Sequence, residues 1–94
     1  MKIIGLGQLH SFCQQWPDTK NWINNWLADT KAAQWASSHH IKTRYASASF
    51  LANNVVIFNV RGNNYRLETI VAYKTATVVV TWIGTHADYT RRHK

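Results

Sequence analysis

Val55 to Tyr73 reads VVIFNVRGNNYRLETIVAY, and its two β-forming runs on either side of Arg61-Gly62-Asn63-Asn64 decide the architecture. Glycine and asparagine accept the positive backbone φ of a tight turn, so the stretch is expected to fold as a β-hairpin. With Gly62 and Asn63 at the tip, antiparallel pairing sets Arg61 opposite Asn64, Val60 opposite Tyr65 and Asn59 opposite Arg66. Alternation then places Val56, Phe58, Val60, Tyr65, Leu67 and Val71 on one face. Asn59, Arg61, Asn64, Arg66 and Glu68 gather toward the turn end of the other face. A bulge would change this parity.

Downstream of the hairpin, Lys74-Thr75-Ala76 turns the chain into a further strand, Thr77 to Ile83, and three successive β segments form an antiparallel meander most simply. Gly84 marks a change of direction, and a short helical turn after it sets His86 and Tyr89, three residues apart, on one side. Upstream, Lys2 to Leu6 suits a short edge strand with its exit at Gly5. The period then changes: Leu9, Phe12, Cys13 and Trp16 form an apolar stripe at helical spacing. Pro17 stops that helix, and Asp18 suits the first turn of the next. Ile23, Trp26, Leu27 and Thr30 share a face, which predicts one long helix or two shorter pieces between Asp18 and Ser38. His39 to Tyr45 reads as a basic and aromatic connection, and Ala46 to Asn54 as a second connection with a turn at Asn53-Asn54. The expected fold class is α+β: N-terminal helices packed on a small, mainly antiparallel β-sheet, in one domain spanning residues 1–94.

Lysine and arginine total 11 against 4 acidic residues, a formal net charge of +7 on 94 residues. Such a bias favours an anionic partner, nucleic acid first, an acidic protein second and an anionic membrane surface third. The lone cysteine, Cys13, cannot form an internal disulfide, which favours a cytoplasmic location. No apolar run approaches the roughly 18 residues of a membrane span, so no membrane insertion is expected, and with nucleic acid and protein ranked ahead no membrane is counted among the expected partners. His39-His40 are adjacent without a nearby cysteine or carboxylate cluster, so neither a metal site nor a cofactor is expected.

Several side chains suit chemistry on RNA. Cleavage without a metal uses the ribose 2'-hydroxyl as nucleophile: one group removes its proton, another protonates the leaving oxygen, and cations stabilise the charge on phosphorus. His86 is the acid/base candidate, because an ordinary imidazole titrates near neutral pH. Arg66 is the candidate for phosphate stabilisation, with Arg61 and Arg91 behind it, since a guanidinium presents a planar donor set to phosphate. Tyr89 can stack on a base or hydrogen-bond near the phosphate, while Asn59 and Asn64 can position ribose or backbone groups. Lys42 and Arg44, beside Tyr45, and the basic tail Arg91, Arg92 and Lys94 are candidate RNA contacts. Glu68, the only glutamate, can pair with Arg66 or orient a catalytic group.

Phe58-Asn59-Val60-Arg61-Gly62-Asn63-Asn64-Tyr65-Arg66-Leu67 and Gly84-Thr85-His86-Ala87-Asp88-Tyr89 together resemble the HigB-family toxins of bacterial type II toxin-antitoxin systems, within the broader RelE-like fold group. The resemblance covers most of the chain and carries two separated motifs in the expected order. It implies a RelE-like domain that cleaves messenger RNA, commonly on a translating ribosome, without a divalent metal, and that a cognate antitoxin protein restrains. The family's site residues carry over most strongly to Asn59, Arg66, His86 and Tyr89, with Arg61 and Asn64 at the turn and Arg91-Arg92 close behind. Family members often have lysine where this chain has Asn64, and an acidic residue where it has Thr90.

Two other readings use the same residues. A non-catalytic basic RNA- or DNA-binding protein predicts salt-sensitive retention of nucleic acid without cleavage. A protein-interaction module would use the tryptophan-bearing helices to bind a partner, and this is compatible with the toxin reading.

Overall fold

The structure is a computed structural model that describes residues 1–93, so Lys94, a candidate RNA contact, lies outside the described residues. The elements follow the order β1 (Lys2–Ile4), α1 (Leu6–Gln15), a 3-10 turn (Pro17–Thr19), α2 (Lys20–Ala32), α3 (Ser38–Arg44), β2 (Ser49–Phe50), β3 (Val55–Val60), β4 (Tyr65–Ala72), β5 (Thr77–Thr85) and α4 (His86–Arg92). The five strands form one sheet in the order β1-β5-β4-β3-β2. Only β1 runs parallel to its neighbour; the other pairings are antiparallel, which makes the fold α+β with a mixed, mainly antiparallel sheet.

The central hairpin has the expected register, with Val60 opposite Tyr65 and Asn59 opposite Arg66. The positive φ angles fall at Arg61 (52°) and Gly62 (68°), one residue earlier than a tip at Gly62-Asn63 requires. The left-handed region is costly for arginine. Its guanidinium is held there by donating to the Asp18 carbonyl at 2.9 Å. Further along, Glu68 pairs with Trp82 but Thr69 pairs with Val80, so Thr81 is an extra residue on β5. That bulge lies on β5 and leaves the hairpin's own parity intact.

The six apolar residues of the first hairpin face are all buried, with Val78 and Val80 of β5 beside them. They meet Leu9 and Phe12 of α1, Ile23 and Trp26 of α2, and Trp35 and Ile41, in one core. Phe58 anchors its aromatic part, with ring centroids of Tyr45 at 5.2 Å, Trp26 at 5.5 Å and Trp35 at 6.5 Å.

Three local expectations differ from the structure. The helical segment expected to reach Ser38 ends at Ala32, where Ala33 is extended (φ −73°, ψ 152°). The Met1 ammonium donates to the carbonyls of Thr30, Lys31 and Ala33 at 3.1, 3.2 and 2.9 Å, satisfying acceptors that a helix end leaves free. His39 to Tyr45, expected as a connection, is mostly α3. A single buried apolar residue, Ile41, holds that short helix, which is too little to make a visible stripe in sequence. Finally, β5 continues through Gly84 to Thr85 instead of turning at the glycine. Among the described residues, no helix is long and apolar enough to cross a membrane.

Candidate functional site on the second sheet face

With α1, α2 and α3 covering one face of the sheet, α4 packs against β4 and β5. Cross-strand pairing fixes two rows on its face, Asn59–Arg66–Gly84 and Ile57–Glu68–Trp82. The strand-to-helix junction is short and well specified. Thr85 is extended (φ −73°, ψ 160°), and its Oγ accepts from the Asp88 N–H at 3.1 Å, capping α4. The His86 N–H donates to the Asn64 carbonyl at 2.9 Å, which ties the start of α4 to the hairpin tip.

Arg66 is only 8% exposed. Its Nη2 donates to Asn63 Oδ1 at 2.6 Å, and its Nη1 to the carbonyls of Tyr65 at 3.1 Å and Asn63 at 3.3 Å. Its guanidinium carbon lies 5.6 Å from the centre of the Tyr89 ring, a cation-π distance. No described carboxylate is within ion-pair distance of it. Its charge is met by neutral acceptors and an aromatic face and by no described carboxylate, so the place it occupies favours an incoming anion. Of the two roles open to Glu68, the pair with Arg66 does not form: Glu68 is taken by Arg92 at 3.0 Å and His93 at 3.3 Å.

Tyr89 lies between three groups. Besides Arg66, its ring centroid is 6.3 Å from that of Trp82 and 4.3 Å from that of His93. The His86 side chain is exposed beside the hairpin tip. Arg66, Tyr89 and His86 therefore occupy one end of the sheet, with Asn59 paired to Arg66 in the adjacent strand. The Asn59 side chain donates to the Ser47 carbonyl at 3.4 Å, and Asn64 is exposed. Arg91 is exposed and pairs with Asp88 on the same helix. Arg92 sits with its guanidinium 5.2 Å from the Trp82 ring centre.

Other candidate cations are engaged elsewhere. Arg61 reaches Asp18, in the 3-10 turn between α1 and α2, and Asp18 also accepts from the Tyr65 hydroxyl at 2.8 and 3.0 Å. That hydrogen bond is the main reason Tyr65 holds its proton above the usual tyrosine range, with burial and the Asp18 charge adding to it. Arg44 pairs with Asp29 at 2.5 Å, and Lys42 donates to the Ala48 carbonyl at 3.1 Å. None of the three contacts Arg66, His86 or Tyr89. Among the described residues, no three His, Cys, Asp or Glu side chains converge into a cation site.

A family model described as HigB_toxin, the RelE-like toxic component of a toxin-antitoxin system, matches residues 19–92. This chain belongs to that family. The match spans the hairpin, α4 and the whole arginine, tyrosine and histidine cluster. Membership makes this HigB-family protein the toxin of a toxin-antitoxin system and implies a cognate antitoxin as partner. No curated protein sequence matches the chain.

The geometry of this HigB-family toxin also includes residues to which sequence reasoning gave no role in the site. Asn63 was only a turn residue, yet it orients Arg66 through two acceptors. Trp82 was only a strand residue, yet Tyr89 and Arg92 both lie against it. An ideal Cβ on Gly84 would stand 2.5 Å from the Trp82 ring, so the glycine leaves the space the indole fills. The one available signal was Glu68, the chain's only glutamate, two residues from Arg66 on the same strand.

Proposed function

We propose that this HigB-family toxin is an mRNA endoribonuclease that acts on the translating ribosome in the cytoplasm, as one RelE-like domain, without a metal. The observation that carries the reading is Arg66, a buried guanidinium fixed by the hairpin turn, within cation-π distance of Tyr89 and lacking a carboxylate partner among the described residues. A phosphodiester supplies the missing anion, and a fixed donor set favours the phosphorane over the ground-state phosphate as negative charge develops.

In this mechanism the ribose 2'-oxygen attacks the adjacent phosphorus, and the bond from phosphorus to the 5'-oxygen breaks. The products are a 2',3'-cyclic phosphate and a 5'-hydroxyl. The proton leaving the 2'-oxygen and the one gained by the 5'-oxygen balance. His86 exchanges one of them, since its imidazole is exposed at the same end of the sheet. Tyr89 stacks on a base or hydrogen-bonds near the phosphate while holding the Arg66 guanidinium in place. Asn59, Asn64, Arg91 and Arg92 surround this centre as RNA contacts. Arg61, Lys42, Arg44 and Lys94 add to the positive field that draws RNA in, consistent with the net charge of +7.

The test is cleavage of mRNA on programmed ribosomes by the purified protein, with and without the antitoxin. Wild type cleaves and antitoxin suppresses it, while folded Arg66→Ala and His86→Ala variants lose activity. Unchanged cleavage by both variants sinks the residue assignment. The positive charge also favours a non-catalytic binding protein, and salt-sensitive RNA retention with no cleavage by wild type would establish that reading instead.

A further inference from the structure

Glu68 is the acidic centre of a face that otherwise carries cations and aromatics. It is 8% exposed, and its two carboxylate oxygens have separate partners. Oε2 accepts from Arg92 Nη2 at 3.0 Å, Oε1 lies 3.3 Å from His93 Nε2, and the Thr81 hydroxyl is shared between the Glu68 backbone carbonyl at 3.1 Å and Oε2 at 3.2 Å. Thr81 is the extra residue of the β5 bulge, so the irregularity in the sheet sets a hydroxyl against the backbone carbonyl and carboxylate of Glu68. Arg92 and His93 both belong to the last turn of α4 and the residue after it. The other end of α4 is fixed at the hairpin tip by the His86 N–H. Tyr89 lies between these two attachments, in contact with Trp82 below and Arg66 beside it.

A seven-residue helix with no buried residue of its own has little intrinsic stability. Packing from Tyr89 alone offers a small apolar area, so α4 depends on its two end attachments, the His86 N–H at the hairpin tip and the Glu68 carboxylate at its C-terminal end. We propose that Glu68 is a positioning residue: it clamps the last turn of α4 through Arg92 and His93, and so holds Tyr89 against Arg66 and His86 beside the scissile phosphate. This deepens the nuclease reading and rests on it. It also gives Arg92 a different main role from RNA contact, because its guanidinium is engaged by a carboxylate on one side and an indole on the other.

The experiment compares full-length wild type with Glu68→Leu, Glu68→Gln and Arg92→Met. Ribosome-programmed cleavage is resolved into kcat and KM, and NMR contacts between the Trp82 and Tyr89 rings report whether α4 is seated. Gln keeps an acceptor for Arg92 and Thr81, and Arg92→Met changes a side chain that is 43% exposed and does not enter the sheet's core. Expected are loss of the ring contacts in Glu68→Leu with kcat down about 10- to 100-fold and KM nearly unchanged, since a displacement of about 1 Å can cost that much. Gln restores most of both, and Arg92→Met reproduces a smaller version of the loss. Ring contacts that persist in Glu68→Leu and Arg92→Met overturn the clamp. Ring contacts that vanish while cleavage stays at the wild-type rate overturn its role in positioning. A wild type that cleaves nothing removes the nuclease reading and the positioning role with it, whereas loss of the ring contacts in the variants still establishes the clamp itself.

Discussion

Arg66 on β4 and Gly84 on β5 are cross-strand partners, and the Trp82 indole lies over the space that Gly84 leaves without a side chain. The small residue thus sets the floor on which Tyr89 and Arg92 rest. Gly84→Ala brings a methyl to 2.5 Å from the indole, too close to keep. Since the clash is with the far end of a side chain, Trp82 moves and the strand stays. The expected outcome is a folded protein destabilised by about 1 to 3 kcal/mol, as for other overpacking substitutions. Denaturant midpoints and the Trp82–Tyr89 ring contacts measure both effects; wild-type contacts in the variant would contradict the arrangement.

Arg66→Lys separates charge from geometry. Lysine retains the positive charge but not the planar fork that donates to Asn63 Oδ1 and to two carbonyls at once. If the phosphorane is stabilised by a fixed donor set, Arg66→Lys loses about 10²- to 10³-fold in kcat, close to the alanine variant. A lysine variant with nearly full activity would mean that a point charge suffices there.

Much of the fold was legible because its signals are local and periodic. The Val60–Tyr65 and Asn59–Arg66 register follows from counting outward across four turn residues, and the buried face of Val56, Phe58 and Leu67 follows from alternation. The α3 helix was not legible, because Ile41 alone carries its burial and the aromatic cluster it joins is assembled from Trp35, Tyr45 and Phe58. The end of α2 was hidden for a similar reason: the amine that satisfies its carbonyls comes from Met1, 29 or more residues away in sequence. At the candidate site, residue types marked Arg66, His86 and Tyr89 as candidates, but partners depend on distances that periodicity does not contain. Glu68 is two residues from Arg66 on the same strand face, yet it pairs with Arg92 and His93, partners that sequence spacing does not single out.

Phe58 is the residue whose loss should cost the fold most. Its ring sits among Tyr45, Trp26 and Trp35, and it is almost fully buried. Phe58→Ala leaves a cavity bounded by three large rings that cannot all close on it, and a loss of about 3 to 5 kcal/mol is expected in denaturant unfolding. Phe58→Leu, which fills more of the space, should lose substantially less; equal losses would show that the aromatic edge contacts matter more than volume.

Alkaline pH should destabilise the protein through its tyrosines. Burial is the main reason Tyr45 ionises far above the usual range, followed by its hydrogen bond to Asp29. The hydrogen bond to Asp18 raises Tyr65, and burial raises Tyr73. Each pKa is higher folded than unfolded, so unfolding releases protons once the unfolded chain's tyrosines titrate, near pH 10. The stability these groups contribute is fully present below that pH and falls as pH rises through the folded values. Denaturant midpoints across the alkaline range test the sign, and Tyr45→Phe together with Tyr65→Phe should flatten the fall. A steep fall that survives in the double variant would assign it to other groups.

Thr85 offers a way to loosen α4 from its N-terminal end without touching Glu68 or any candidate reacting group. Its hydroxyl accepts from the Asp88 N–H at 3.1 Å and is the helix's only side-chain cap. Thr85→Val keeps the shape and the extended strand geometry but removes the acceptor, leaving a first-turn N–H to water. The cap is worth about 1 kcal/mol, a large share of what a seven-residue helix can hold. Thr85→Ser retains the oxygen and should behave like wild type. In the ribosome-programmed assay, Thr85→Val should lower kcat in proportion to the loss of Trp82–Tyr89 ring contacts, with Thr85→Ser unaffected in both. If Val and Ser variants are equally active and equally ordered, then α4 is held by its C-terminal attachment alone, and the cap at Thr85 has no share in placing His86 and Tyr89.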